Sequence, residues 1–239
     1  MMQQQQIQTN LSRHRQQQHC RRGLLLQLRF YKKSAKYNLT LPKELEEIIV
    51  GLLLGDLHAE KTQSLKSNTR LQFKQSKINE EYINHLYSIF ENYCGSVPIN
   101  LKSFDVRPEK NKYYSSVKFN TYSLPCFNKF RELFYNSEGH KILPDNLESI
   151  LTPRGLAYWI MDDGYNSVNG FYICTESFTL SENQKLVNIF KNIFNLNCGV
   201  HKHTNGYRLY IFSSSKEDLL FLIKPFIIKH FYYKFNITM

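Results

Sequence analysis

A short apolar segment that ends in an acidic residue occurs twice in this chain. The first copy spans residues 49–57 and has Asp56 at its eighth position, and the second spans residues 156–164 and has Asp163 at the same position. Each copy is apolar enough to form a helix that is buried on most of its faces. Two such helices packed side by side would bring their carboxylates together, and paired carboxylates bind hard divalent cations such as Mg²⁺.

Each segment taken alone has a simpler interpretation. A helix that is apolar on most of its faces is usually a core helix, and an aspartate just after it is usually a solvated turn residue. Short motif matches also have a high false-positive rate. The recurrence of the segment within one chain favours the paired site.

The secondary structure predicted around the two segments also repeats. The first motif helix is predicted to begin near residues 40–42. Alternating strands are predicted at residues 70–76, 113–120, 171–177 and 207–213, and amphipathic helices at residues 78–93, 124–135, 181–194 and 216–228. Two diverged copies of one α/β unit explain this order, and they would form a pseudo-twofold monomer.

Several helix ends can be predicted from local residue types. Thr152 is a predicted N-cap for the second motif helix, with Pro153 in its first turn. Ser181 is predicted to cap a later helix. Residues 94–95 and 198–199, both Cys-Gly, are predicted to end the helices that precede them.

The net charge of +11 is unevenly distributed along the chain. Residues 1–43 contain nine Lys or Arg and no acid, which leaves 22 of the 31 basic residues, against 20 acidic ones, in the remainder. The placement of charge therefore matters more than its sum. Basic strands and acidic helices would put positive charge on one side, although a solvated sheet of mixed charge is the alternative.

The N-terminal segment is treated separately from the two halves. Residues 1–39 form a basic, Gln-rich tail, the first half spans residues 40–150, and the second half spans residues 151–239. The tail is compatible with disorder, with a transit segment, or with a basic arm that follows phosphates. A transit segment would direct the protein to the mitochondrion, or alternatively to the chloroplast.

Cysteine usage and hydropathy indicate the environment in which the protein works. The five cysteines include no C-x-x-C pair, which indicates a reduced, intracellular environment. No apolar run approaches the roughly 20 residues of a membrane span, so no membrane partner is expected.

Duplex DNA fits a duplicated chain of this kind. Two related halves with open polar sheet faces match the near-twofold symmetry of antiparallel strands, and protein strands can enter the major groove. In the strand at residues 70–76, Leu71, Phe73 and Gln75 share one side, and basic or amide residues share the other. The candidates for base or phosphate contacts are Arg70, Gln72, Lys74, Lys118, Asn120, Tyr172, Glu176, Arg208 and Tyr210.

Residues 151–164, with the sequence Leu-Thr-Pro-Arg-Gly-Leu-Ala-Tyr-Trp-Ile-Met-Asp-Asp-Gly, resemble the LAGLIDADG homing endonucleases, especially the single-chain, intron-encoded yeast mitochondrial type. The similarity covers residues 40–239. It implies an α+β (mixed αβ) fold with two pseudo-symmetric αββαββα halves, antiparallel DNA-binding sheets and two packed motif helices at the seam. The implied function is a site-specific double-strand DNA endonuclease that mediates intron homing by metal-dependent phosphodiester hydrolysis.

The resemblance also implies the site. Asp56 and Asp163 match the metal-binding acids for Mg²⁺ or another divalent cation, with the carbonyls of Gly55 and Asp162 nearby. Lys141 and Lys234 match basic residues that order and polarise water, although for either one alone a surface lysine is the simpler interpretation. The implied substrate is a long, asymmetric double-stranded DNA site, cut across its minor groove to leave 3′ overhangs.

Two alternatives and one structural question stay open. The same fold could act as an RNA maturase that binds group I intron RNA to assist splicing, or as a DNA-binding module without cleavage. The retained acids and lysines favour the nuclease.

The sequence departs from the family pattern at Leu54, Leu57 and Tyr158, of which Tyr158 replaces a helix-packing glycine. Gly51 and Gly55 permit close packing on one side only, so the helix spacing is undecided.

Overall fold

The computed structural model describes residues 37–62, 67–105 and 112–236. The tail predicted at residues 1–39 therefore lies almost wholly outside the described residues. The described residues from Leu41 onwards belong to one unit.

The first half has the predicted order of one helix, two strands, one helix, two strands and one helix. Its elements are α1 (Lys43–Leu54), β1 (His58–Glu60), β2 (Arg70–Ser76), α2 (Glu80–Phe90), β3 (Ile99–Asp105), β4 (Lys112–Asn120), α3 (Asn128–Phe134) and the short α4 (Leu147–Ile150). The strands form one antiparallel sheet in the order β1-β2-β4-β3. Short 3-10 turns adjoin α2 and α3 at Lys77–Asn79, Glu91–Tyr93 and Pro125–Phe127.

The second half repeats this order. Its elements are α5 (Pro153–Asp163), β5 (Gly164–Ser167), β6 (Gly170–Ile173), α6 (Leu180–Phe194), β7 (Cys198–His203), β8 (Gly206–Phe212) and α7 (Lys216–Ile223). The strands again form an antiparallel sheet, in the order β5-β6-β8-β7. A 3-10 segment, Lys229–Phe235, follows α7. The α+β class and the two αββαββα halves are thereby confirmed.

The two motif helices begin differently. The Thr152 side chain accepts a hydrogen bond from the Gly155 N–H, and Pro153 is the first residue of α5, as predicted. α1 begins at Lys43, and Pro42 occupies the N-cap position without a side-chain cap. Proline has no side-chain acceptor, so the first turn of α1 depends on its acidic residues for favourable interaction with the helix dipole.

One of the two predicted Cys-Gly helix ends is confirmed and the other is wrong. The 3-10 turn Glu91–Tyr93 continues α2 and has Cys94 as its C-cap, so the helical segment ends at residues 94–95 as predicted. α6 ends earlier than predicted, at Asn195, whose φ is 54°, and Gly199 lies within β7. Neither Gly95 nor Gly199 adopts the left-handed conformation of a capping glycine.

The predicted N-cap at Ser181 is also wrong. Thr179 caps α6 through a capping box, in which its side chain accepts from the Glu182 N–H. The Glu182 carboxylate accepts from the Thr179 N–H at 2.8 Å. These two reciprocal bonds satisfy the backbone N–H groups of Thr179 and Glu182 at the start of α6.

Two predicted elements of the second half are shorter in the structure. β6 ends at Ile173, because Thr175 leaves the strand and donates to Oδ1 of Asn183 at 2.5 Å. α7 ends at Ile223, because Pro225 follows shortly after and has no N–H for a helical hydrogen bond.

The helices α1 and α5 pack in the same direction along the seam between the halves. A Cβ on Gly51 would lie 1.9 Å from the Gly155 carbonyl oxygen, and one on Gly155 would lie 2.9 Å from the Glu47 carbonyl oxygen. The backbones therefore meet directly, which decides the spacing that the sequence left open. Tyr158 does not separate the helices, because its hydroxyl lies 2.9 Å from Nε2 of His85 on α2.

Aromatic contacts fix the C-terminal 3-10 segment to both halves. Phe235 stacks on Phe171 of β6 with a centroid distance of 4.9 Å. Phe231 packs edge-on against Tyr82 of α2, also at 4.9 Å. The segment therefore bridges the second sheet and the first half, and it carries Lys234 to the seam.

A membrane-spanning helix is not found anywhere in the described chain, since none of its helices combines the necessary length and apolarity.

Candidate active site

The C-terminal ends of α1 and α5 carry three acids at the seam. Gly55 and Asp56 follow the last residue of α1, and Asp162 and Asp163 are the last two residues of α5. A helix C-terminus has a partial negative charge, so carboxylates there are destabilised unless donors or cations balance them.

Two of the acids at the seam, Asp162 and Asp163, have raised pKa values. Burial, followed by the charge of Asp56, raises the pKa of Asp163 to about 7, although Lys141 and Lys234 act in the opposite direction. Burial also raises the pKa of Asp162, and the charges of Asp56 and Asp163 raise it further. The protein's own cations do not fully balance this group of acids, which favours the binding of an additional cation.

The carboxylate of Asp162 contacts the opposite half. The Asp56 N–H donates to Oδ2 of Asp162 at 3.2 Å. Space for this carboxylate exists because residue 55 is glycine. A Cβ at this position would lie only 2.6 Å from the same oxygen. The sequence analysis assigned only the carbonyl of Asp162 to the site, so this cross-seam carboxylate was missed.

Gln75 is a second site residue that the sequence analysis missed. Its Nε2 donates to Oδ2 of Asp56 at 2.9 Å and to Oδ1 of Asp162 at 3.3 Å. The side chain is buried, together with Leu71 and Phe73 on the same side of β2. The signal was present in the sequence, because an amide at an apolar position of an alternating strand needs a buried polar partner.

The two predicted lysines occupy equivalent places in their halves. Lys141 Nζ donates to the Gly55 carbonyl oxygen at 2.7 Å, at the end of α1. Lys234 Nζ donates to the Met161 carbonyl oxygen at 2.7 Å, and lies 3.5 Å from that of Asp162, at the end of α5. Burial lowers the pKa of both lysines, and the nearby acids oppose this effect. Each ammonium thus caps its own motif helix and also lies beside the acids.

The two halves differ at the position of Gln75. Strand register pairs His58 with Gln72 in one sheet and Tyr165 with Tyr172 in the other, which makes Thr175 the counterpart of Gln75. The Thr175 hydroxyl is used within its own half, where it also accepts from the Leu209 N–H at 2.9 Å. An amide therefore reaches the acids from the first half, whereas the equivalent hydroxyl of the second half is used elsewhere.

The donor types at the seam fit a hard divalent cation held partly by its substrate. Among the described residues, no group of three or more His, Cys, Asp or Glu side chains is arranged to enclose a metal ion. Mg²⁺ is usually bound through one or two carboxylates, with water and substrate phosphates completing its shell. Asp56, Asp163 and the neighbouring carbonyls supply ligands of that kind.

The open face of the first sheet is charged. Lys74 lies directly opposite Lys118, and Gln72 lies opposite Asn120, on neighbouring strands. Like charges at directly opposed positions destabilise a sheet unless an anion lies between them. The Arg70 guanidinium forms an ion pair with Glu60, which orients it on the same face.

The open face of the second sheet is aromatic. Tyr172 lies between Tyr165 and Tyr210, with ring centroids 5.2 Å and 4.6 Å away. Arg208 forms an ion pair with Glu176, and its Nη1 donates to the Tyr165 hydroxyl at 2.7 Å. Tyr210 is only 9% exposed as a whole residue. The candidate contact residues of this half are therefore largely engaged with one another, unlike Lys74 and Lys118.

Known proteins resemble this chain in both sequence and fold. The model of the LAGLIDADG DNA endonuclease family matches residues 46–219. Cytochrome b mRNA maturase bI2 of Debaryomyces hansenii is 34% identical over 203 residues, which cover 83% of this chain and 76% of the relative. DNA endonuclease I-ChuI of Chlamydomonas applanata is 29% identical over 210 residues, which cover 82% and 96% of the two chains. The structure of the homing endonuclease I-WcaI bound to its DNA recognition sequence has a TM-score of 0.79 at 29% identity, covering 89% of this chain and 93% of that one.

Proposed function

Because the chain belongs to the LAGLIDADG DNA endonuclease family, we propose that it is a site-specific endonuclease that hydrolyses both strands of double-stranded DNA and thereby mediates intron homing. The observation that carries this proposal is the group of acids at the meeting point of α1 and α5. One amide contacts these carboxylates, two lysines donate to backbone carbonyls at the same helix ends, and an open sheet lies on each half.

Divalent metal dependence follows from the chemistry of these groups. Asp56 and Asp163 are the proposed ligands of Mg²⁺ or another divalent cation, together with the carbonyls of Gly55 and Asp162. Both carbonyls lie within reach of a lysine, but a carbonyl oxygen has two lone pairs and can accept a second partner. When bound, such a cation neutralises negative charge on the attacked phosphate and on the leaving oxygen.

The remaining residues of the site orient the carboxylates or stabilise the charge that develops during hydrolysis. Gln75 holds the Asp56 carboxylate in one orientation through its Nε2–H. Lys141 and Lys234 are anchored on backbone carbonyls, and their other N–H groups can donate to water or to a phosphate oxygen. Preorganised donors of this kind stabilise the charge that develops during hydrolysis. Asp56, Asp163, Lys141 and Lys234 are therefore the proposed catalytic residues.

The two sheets are the proposed DNA-binding surface, and each would read its half-site by different chemistry. On the first sheet, Lys74, Lys118 and the oriented Arg70 suit phosphates and guanine edges. On the second, the rings of Tyr172 and Tyr165 suit thymine methyl groups. The proposed contacts are Arg70, Gln72, Lys74, Lys118, Asn120, Tyr172, Glu176, Arg208 and Tyr210. A long asymmetric site bound by a monomer follows, because one chain supplies both acids and two unlike sheets.

One observation supports a second function. The relative with 34% identity is named a cytochrome b mRNA maturase, so the same surface could bind group I intron RNA and assist splicing. The aromatic sheet face would suit stacking on unpaired bases. The name of this yeast relative also supports a mitochondrial location for the protein.

Cleavage of the intronless allele tests the nuclease proposal. Purified protein with Mg²⁺ should cut a plasmid that carries the uninterrupted insertion site, and Asp163→Asn should abolish cutting while DNA binding persists. Asp145→Asn is the matched control, because Asp145 lies on the surface, where it pairs with Lys185 at 3.0 Å.

The outcomes separate the two functions. Normal cutting by Asp163→Asn would disprove the role of this acid. If the wild-type protein cuts no DNA but accelerates splicing of the intron RNA, the maturase function replaces the nuclease.

A further inference from the structure

We propose that Asn79 and His230 are positioning residues that fix which end of the Gln75 amide faces the acids. The inference rests on the proposed nuclease function. Three side chains form one hydrogen-bonded chain that runs from the C-terminal segment of the second half to the acids. Gln75 Oε1 accepts from Asn79 Nδ2 at 3.2 Å, and Asn79 Oδ1 lies 3.2 Å from His230 Nε2.

The donor and acceptor of every hydrogen bond in this series follow from the orientation of Gln75. A carboxylate that serves as a metal ligand is ionised and only accepts hydrogen bonds, so Gln75 must present its NH₂ group to Asp56, whose Oδ2 lies 2.9 Å away. The same NH₂ group lies 3.3 Å from Oδ1 of Asp162. Its oxygen then faces Asn79, which must present its own NH₂ group. The Asn79 oxygen in turn faces His230, whose Nε2 must carry a proton. His230 meets this requirement both as imidazolium and as the neutral tautomer with Nε2–H.

The position of Asn79 supports a role beyond local structure. It is the last residue of the 3-10 turn Lys77–Asn79, which leads directly into α2. Its side chain makes no capping hydrogen bond to the backbone of α2 and instead joins Gln75 to His230. Both polar ends of the Asn79 amide are therefore used in the link towards the acids.

The chain of hydrogen bonds links the two halves but acts on one side of the site. His230 lies in the same 3-10 segment as Lys234, which contacts the end of α5. The counterpart of Gln75 in the second half is Thr175, which bonds to Asn183. Loss of the orientation should therefore slow cleavage of one DNA strand more than the other.

Asn79→Asp separates the positioning role from a merely structural link. The introduced carboxylate can still accept from His230, so the connection between the halves persists. It cannot donate to Gln75, however, so the amide must either reverse, and turn its oxygen towards the acids, or face a repulsive oxygen. Asn84→Asp is the matched control, because Asn84 is exposed on α2 and the change adds the same charge. His230→Gln keeps a donor for Asn79 and should retain wild-type behaviour.

Two measurements test the inference. In metal-free protein, the Gln75 side-chain NH₂ resonances, identified by their loss in Gln75→Ala, should shift in Asn79→Asp and stay in place in Asn84→Asp. With Mg²⁺ and an end-labelled duplex, Asn79→Asp should slow cleavage of one strand up to about a hundredfold more than cleavage of the other, and nicked product should accumulate. Its melting temperature should match that of Asn84→Asp.

The possible failures are distinguishable. If wild-type protein cuts no DNA, the proposed function fails, while the metal-free resonances still test the orientation. If wild-type protein cuts, and Asn79→Asp either cuts both strands normally or slows both equally, Asn79 is not a positioning residue. Unshifted Gln75 resonances in Asn79→Asp would also overturn the inference.

Discussion

Replacing Gly51 by alanine should push the two motif helices apart and separate the acids at their ends. The new Cβ would lie 1.9 Å from the Gly155 carbonyl oxygen, whereas ordinary contact begins at 3.4 Å. Because the contacted atom belongs to the backbone of a packed helix, no side chain can turn away. The helices must therefore separate by about 1.5 Å, the difference between these two distances.

Two magnitudes follow from this displacement. Overpacking of a core typically costs about 1 to 3 kcal/mol, which in a protein of this size lowers the melting temperature by roughly 2 to 12 °C. A misplacement of about 1 Å in a catalytic group can cost a hundredfold in rate. Cleavage should therefore fall about a hundredfold at a temperature where Gly51→Ala remains folded. DNA binding should change little, because both sheets are intact.

The assay is single-turnover cleavage of the target duplex, with melting temperature and DNA affinity measured in parallel. Gly199→Ala is the control, because its Cβ would meet only the edge of the Phe212 ring, 3.1 Å away, and that ring can shift. The reasoning is refuted if folded Gly51→Ala cuts at the wild-type rate, or if Gly199→Ala loses as much activity.

Three further predictions follow from the site and the sheets. The folded-state pKa of Asp163, about 7, lies above its ordinary value of 3.8, so in metal-free protein this carboxyl should reduce the free energy of unfolding as pH rises from about 4 to about 7. Chemical denaturation should show a smaller loss in Asp163→Asn than in the wild type, because Asp162 still has a raised pKa, and Mg²⁺ should reverse the loss in the wild type. Lys74→Ala and Lys118→Ala should each reduce the slope of log affinity against log salt by about 0.9, if each lysine binds one phosphate; an unchanged slope in titrations of the target duplex would exclude that contact. Replacing thymidine by deoxyuridine removes the thymine methyl group, so it should weaken binding in the half-site under the second sheet but not in the one under the first sheet. Equal effects on both half-sites would contradict the proposed thymine contacts of Tyr172 and Tyr165.

The parts of the fold that the sequence predicted are those that depend on local periodicity. The strands β2, β4, β6 and β8 and the helices beside them are examples, because amphipathic alternation shows directly which side of each element is buried. The strands β1, β3, β5 and β7 were implied only by the family resemblance. The N-cap at Thr152 was predicted for the same reason, since the hydroxyl and the following proline act within one turn. The end of α6 was predicted less well, because its left-handed position is occupied by Asn195 and not by the glycine of the Cys-Gly pair.

The site was predictable as far as its motif positions and no further. Asp56, Asp163 and both lysines lie at the seam, because the repeat places equivalent residues at equivalent ends of two helices. The Asp162 carboxylate and the Gln75 amide depend instead on contacts between elements distant in sequence. Such contacts are not visible in periodicity, although a buried amide in an apolar strand position indicates that a polar partner must exist.

The position of a bound metal ion decides whether Asp56 and Asp163 hold the catalytic cation. Crystals of the protein with its DNA target and Mn²⁺ would reveal the ion by anomalous diffraction. We predict an ion at the seam, at a coordination distance of about 2 Å from carboxylate oxygens of Asp56 and Asp163, and next to the phosphate that is cut. Ions bound only elsewhere on the protein, with these two carboxylates free of metal in the DNA complex, would contradict it.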